Sequence, residues 1–101
     1  MVHISRVMEN TATFVDNELV PKMPKLEGIA FAAMAPFVIK AKIPGLLKLA
    51  NGTELVDGEN IDLDRLYHEF KAKAQNKWPI QMLGFTFRED DLDSLYRYLM
   101  R

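Results

Sequence analysis

The chain predicts an α+β fold, mostly helical and in a single domain spanning residues 1–101, with a small two- or three-stranded β element in the C-terminal half. Three observations predict it. Apolar residues recur at helical spacing in several stretches, and "IQMLGFTFRE" alternates apolar and polar residues with the period of a strand. The hexapeptide "DLDRLY", beginning at Asp62, returns as "DLDSLY" at Asp91, and each copy opens an amphipathic pattern. With 49% of its 101 residues hydrophobic, the chain has enough apolar side chains for a core without metals or disulfides.

Residues 1–20 form an N-terminal helix. From residue 3 to 19, Ile4, Val7, Met8, Thr11, Val15 and Leu19 share one face, and Arg6, Glu9, Asp16 and Glu18 lie mostly elsewhere. The helix stops at "VPKMPK", because proline lacks the donor that a helix interior needs and pushes the preceding residue toward extended geometry.

Residues 26–50 form an apolar segment with an unbroken apolar run from Ile29 to Ile39. Alanine and methionine favour helix, whereas Pro36 removes a hydrogen bond and Pro44-Gly45 adds a second break, so a broken helix is expected here. "ANG" at 50–52 closes it, since Asn and Gly tolerate the left-handed backbone of a helix end. The apolar run is shorter than the ~20 residues that cross a bilayer, and Lys40, Lys42 and Lys48 interrupt any longer window.

Residues 53–101 read as extended, helix, strand, helix. An Asp57-Gly58 turn joins two short extended pieces; a helix follows from Asp62 to about Gln75 and ends at "KWP". Over 80–88 the alternation changes phase at Gly84, which fits either a tight Leu83-Gly84 hairpin or a bulge in one longer strand. A last helix runs from Asp90 to Leu99.

Helix physics accounts for the repeated hexapeptide. Leu63, Leu66, Tyr67 and Phe70 make one apolar stripe and Leu92, Leu95, Tyr96 and Leu99 another, which together are the expected core. Asp62 and Asp64, and Asp90, Asp91 and Asp93, stand at the helix starts, where a carboxylate accepts from unpaired backbone donors at a gain of ~1 kcal/mol. A duplicated strand-then-helix unit would produce the same pattern.

Site chemistry is sparse. An EF-hand aligned with Ile61 at its eighth position puts Val56 and Gly58 where oxygen ligands belong. Asp64 and His68 at i, i+4 could meet Glu69 or His3 at a metal, but two ligands on one helix are more economically a solvated face, and no metal site or cofactor is expected. Ser5, Ser94, His3 and His68 belong to no nucleophile motif, and Gly28, Gly45, Gly52, Gly58 and Gly84 make no phosphate loop, so no catalytic residues are assigned. Trp78 beside Pro79 reads as a turn anchor, and Tyr96 and Tyr98 lie on different helix faces.

Net charge is −1 and the pI is about 6.1, which excludes the field that drives generic nucleic-acid binding. The chain has no cysteine and the start "MVHISRVMEN" is interrupted by His3, Arg6 and Glu9, so an unsecreted, cytoplasmic protein is expected and the "NGT" sequon at Asn51 carries no weight. Charge is unevenly spread: residues 21–50 hold five lysines and one glutamate, residues 51–101 seven basic and ten acidic groups. The apolar segment is therefore also the basic one. Either its lysines edge a core helix, or Ile29, Phe31, Met34, Phe37, Ile39, Lys40, Lys42 and Ile43 form a contact surface. The expected function is that of a small non-enzymatic interaction or assembly protein using this surface toward a partner protein or a second copy. The alternative is a peripheral membrane protein using the same lysine-rich apolar segment. Because "IAFAAMAPFVI" is apolar all round, enclosure by protein is favoured.

The order of an Ala-rich apolar middle, an Asp-Gly turn, "IDLDRLY", a short strand and "DLDSLY" resembles small proteins encoded by phages and prophages of Gram-positive bacteria, over about the last half of the chain. The resemblance implies a virion component, a host-factor inhibitor or an accessory protein, in the host cytoplasm or the virion, and assigns no residue a role.

Overall fold

In a computed structural model of the chain, residues 1–82 and 85–101 are described, Met82 and Phe85 by their backbone only. The described residues form a mostly helical α+β fold with two small antiparallel sheets.

The chain enters through a two-residue strand, β1 (Val2–His3), and turns into helix α1 (Ile4–Phe14), whose start is capped by His3 Nδ1 accepting from the Ser5 amide at 3.2 Å. A single π turn over Val15–Leu19 continues the helix and points Val15 and Leu19 inward; a 3-10 turn over Val20–Lys22 then ends it at the prolines. Strands β2 (Val56–Asp57) and β3 (Asn60–Ile61) make a hairpin around Gly58, whose φ of +62° suits glycine. β1 pairs with β3 on its other edge, Val2 opposite Ile61, so a strand from the N-terminus joins the sheet where the sequence showed only helix.

Helix α2 (Lys25–Ala50) corrects the expected broken segment: it runs without interruption through Pro36 and Pro44. The reason lies in its packing. Gly28, Phe31, Ala35, Ile39, Ile43 and Leu47 form one inward stripe with contacts on both sides of each proline, which hold the helix together where a hydrogen bond is missing. Both prolines are exposed. The expectation, from the short apolar run and its flanking lysines, that no stretch here is long enough to cross a bilayer is corrected too: by length and composition alone Lys25–Ala50 is long and apolar enough. Its end is as expected, with Gly52 at φ +90° just beyond Asn51.

Helix α3 (Leu63–Lys73) begins at Asp62, which accepts from the Arg65 amide at 3.2 Å. The hairpin of β4 (Ile80–Met82) and β5 (Phe85–Phe87) follows, with Ile80 opposite Phe87, and helix α4 (Glu89–Leu99) closes the chain. This pairing selects the hairpin over one bulged strand; the Leu83-Gly84 connection itself lies outside the described residues. Each copy of the hexapeptide thus follows a hairpin and starts an 11-residue helix.

Two apolar clusters hold the elements together. The larger gathers Phe14, Val15 and Leu19 with Met23, Ala35, Phe87, Leu92 and Tyr98. Phe14, 2% exposed, meets the Tyr98 ring edge-on at 5.6 Å, and Tyr98 donates to Glu18 at 3.0 Å. The smaller gathers Ile4, Val7, Ile61 and Leu63, with Ile43 and Leu47 against it. Because the early part of α2 meets Phe14–Met23 and its late part meets Ile4–Met8, α1 and α2 run antiparallel. Gly28 permits the close approach: a Cβ there would stand 3.2 Å from the Val20 carbonyl oxygen. Lys22 Nζ donates to Asp91 at 2.6 Å and ties this region to the start of α4.

The expected core needs correction. Leu63 and Leu92 are buried, and Tyr67, Leu95, Tyr96 and Leu99 are half-buried, but Leu66 and Phe70 are 41% and 43% exposed. The centre of the molecule is formed instead by α1, its π turn and α4. α3 stands apart from that centre, across a cleft from α4.

Candidate interaction surface

The first candidate surface is the outward side of α2. A 26-residue helix, about 39 Å long at 1.5 Å per residue, has only Gly28 and Ala35 buried. Leu26, Ile29, Met34, Phe37, Val38, Leu46 and Leu49 are all exposed, Phe37 at 76% and Leu26 at 83%. Enclosure within a single chain, expected for a helix that is apolar all round, is therefore not observed. Of the residues singled out from sequence, Ile29, Met34, Phe37, Lys40 and Lys42 point outward, whereas Phe31, Ile39 and Ile43 are half-buried against the two clusters. Sequence reasoning missed Leu46 and Leu49, because a break at Pro44-Gly45 cut the surface short, and Leu26, because it precedes the apolar run that begins at Ile29. Lys40 and Lys48 follow Phe37 by three and eleven residues and so share its side of the helix.

The second candidate is the cleft between α3 and α4, an almost wholly apolar space of about 360 Å³ bounded by Leu63, Leu66, Phe70, Leu92, Leu95 and Leu99. The two copies of the repeated hexapeptide meet in its wall, to which Tyr67 and Tyr96 contribute. Tyr67 of the first copy donates to Asp93 of the second, and Tyr96 of the second donates to Asp64 of the first at 2.5 Å; the two rings stack at 4.2 Å. Each tyrosine thus reaches the second aspartate of the other copy. The opening aspartates do the work expected from sequence: Asp62 caps α3, and Asp91 accepts from the Arg88 amide at 2.9 Å. The crossed clasp was missed, although identical Asp and Tyr positions in both copies were its signal.

The two halves of the clasp differ in charge. Lys71 donates to the Tyr67 hydroxyl at 3.0 Å and to Asp93 at 3.2 Å, and lies 3.5 Å from Glu89. Hydrogen bonds from Tyr67 and Lys71 outweigh burial and hold Asp93 below the usual carboxylate range, and the bonds that Lys71 donates to the Tyr67 hydroxyl and to Asp93 raise the lysine. The hydrogen bond to Asp64, with burial, raises the Tyr96 phenol. Asp64 also lies 3.6 Å from His68.

His3, the other candidate ligand, pairs with Glu59 at 2.9 Å, on the small sheet and not beside His68. Among the described residues no group of three or more His, Asp or Glu side chains comes together as a metal site would require. Ser5 meets His3 at 2.8 Å with both exposed, and Ser94 accepts from Arg97. Trp78 packs between Phe70 and Phe87, as a turn anchor should.

Comparison with protein-family models, with curated proteins and with solved structures finds no match to this chain.

Proposed function

We propose that the chain is a small, non-enzymatic interaction protein that associates through the outward side of α2, with a second copy or within a larger assembly. The observation that carries this is the exposure of seven large apolar side chains along one continuous helix. Five of them, Leu26, Ile29, Met34, Phe37 and Val38, lie within about 100° of one common direction, and covering those is worth roughly 1–2 kcal/mol each, or about 7 kcal/mol together. That is comparable to the ~4–15 kcal/mol lost when two molecules are joined, so the surface suits reversible association. A phage-related assembly or accessory role is compatible with it.

A membrane-surface role is the second reading, favoured by the length and apolar character of α2. Two features weigh against it. α1 lies antiparallel beside α2 and carries Arg6 and Glu9 exposed, with Asp16 exposed on the π turn that continues it, so a span by α2 would draw those charges into hydrocarbon. A flat-lying helix keeps its lysines on the face opposite its apolar one, whereas Lys40 and Lys48 share the side of Phe37.

Size-exclusion chromatography with light scattering, together with sedimentation against anionic liposomes, tests the two readings. The proposal expects concentration-dependent association that Phe37→Asp abolishes, and no sedimentation with liposomes. Lipid binding lost on Lys40→Glu with Lys42→Glu, while the protein stays monomeric, would replace it with the membrane reading.

A further inference from the structure

The geometry points to a head-to-tail contact between two copies of this chain, in which Phe37 on α2 of one copy enters the α3–α4 cleft of the next. This rests on reading α2 as a self-association surface and names the surface that receives it.

Shape is the first argument. Phe37 is 76% exposed, with the small Ala33 and Ala41 at i±4 and the longer Met34 and Lys40 at i±3, so its ring projects from a side with room on either end of its own row. The cleft is its complement: a concave apolar space of about 360 Å³, wide enough for one or two side chains but not for a helix, with Leu66 and Phe70 partly exposed at its edge.

Charge is the second. Along its length α2 carries Lys25, Lys40, Lys42 and Lys48 against Glu27 alone, with Lys40 one turn from Phe37. The helices that form the cleft carry Asp64, Glu69, Glu89, Asp90 and Asp93. Arg65 pairs with both Glu54 and Glu69, and Lys71 with both Asp93 and Glu89, so each of these cations faces two carboxylates and the balance stays negative. Arg97 donates to Ser94, and Lys73 sits at the far end of α3. A lysine-bearing knob and a carboxylate-bearing cleft attract one another, whereas two α2 helices would oppose lysine to lysine.

Coverage is the third. Pairing α2 with α2 would leave the cleft open, and pairing cleft with cleft would leave α2 exposed. One knob-in-cleft contact engages both apolar surfaces at once, around Phe37 on α2 and around Leu66 and Phe70 at the cleft. Such a contact is heterologous: every copy presents a free knob and a free cleft, so association is open-ended unless the rotation closes a ring.

The test uses two full-length variants, Phe37→Asp to remove the knob and Leu66→Asp to block the cleft, each checked for native circular dichroism, with Leu66→Gln as the milder cleft variant if Leu66→Asp misfolds. Sedimentation velocity of wild type is expected to show species growing with concentration. Each variant alone should be monomeric, its self-association weakened at least ~10-fold. Mixed, the two should form a heterodimer and nothing larger, because the mixture retains one intact knob and one intact cleft. If Phe37→Asp is monomeric while both cleft variants associate like wild type, α2 remains the interface and the cleft is refuted as its receptor. If the mixture stays monomeric, the contact is isologous and the inference falls. A wild type that is monomeric throughout would overturn the self-association reading itself.

Discussion

Asp91 is a carboxylate whose removal should be felt in a calculable way. It is only 6% exposed and serves two donors, the Lys22 ammonium at 2.6 Å and the Arg88 amide at 2.9 Å, so it both anchors the 3-10 turn and caps α4. Burial alone would raise its pKa; the hydrogen bonds from Lys22 and from the Arg88 amide outweigh it and bring the pKa below the ordinary carboxylate value. A charged hydrogen bond is worth ~1.5–3 kcal/mol, but the Lys22 side chain is 57% exposed and regains water when released, which places its share near ~1 kcal/mol. The cap adds ~1 kcal/mol. Asp91→Ala should therefore cost about 2 kcal/mol and Asp91→Asn, which keeps an acceptor for the cap, about 1 kcal/mol. The pH dependence has a definite sign. Because the folded pKa is depressed, the stabilisation is present above the unfolded carboxylate pKa of ~3.9 and is lost as pH falls through the lower folded value. Urea unfolding of wild type, Asp91→Asn and Asp91→Ala at neutral pH, repeated in acid, measures it. Equal midpoints at neutral pH, or a wild-type advantage over Asp91→Asn that does not shrink in acid, would refute the reasoning.

Leu92→Ala should cost about 2–4 kcal/mol and Leu66→Ala at most about 1 kcal/mol, since one is 8% exposed and the other 41%; equal costs in urea unfolding would show that α3 packs more tightly than described. Gly28→Val should cost more than Gly28→Ala, because even a methyl group would stand 3.2 Å from the Val20 carbonyl oxygen, and thermal melts that rank the two the other way would contradict the close α2 approach. Of the chain's three tyrosines, Tyr96 should ionise above the ordinary tyrosine range and return toward it in Asp64→Asn; ultraviolet titration curves that are unchanged by the substitution would dismiss that half of the clasp.

What could be read from sequence was set by local chemistry. The Asp57-Gly58 turn, the end of α2 at Asn51-Gly52 and the Asp62 cap each depend on a few neighbouring residues whose backbone preferences suffice. The continuity of α2 through Pro36 and Pro44 depends on contacts with residues 4–23, distant in sequence, that flank each proline. The misplaced Leu66 and Phe70 have the same origin: a helical stripe shows which side is apolar, not what stands opposite, and opposite these two lies a cleft. β1 is two residues long and exists through its pairing with β3, which no local pattern reports. On α2, sequence identified Phe37, Met34 and Ile29 correctly as surface candidates, but could not separate them from Phe31, Ile39 and Ile43 without knowing which side α1 occupies.

The absence of cysteine from the chain permits a direct measurement on the outward side of α2. A single cysteine at Ala33, exposed and on the side of Phe37, can be compared with a control at Asn17, exposed on the π turn. Thiol labelling rates of Ala33→Cys and Asn17→Cys, followed as protein concentration rises in detergent-free buffer, report whether protein covers that side. The account predicts that labelling at 33 slows several-fold with concentration while labelling at 17 does not change. A rate at 33 that stays equal to the control at every concentration would show that α2 remains uncovered by protein, and would contradict the central claim.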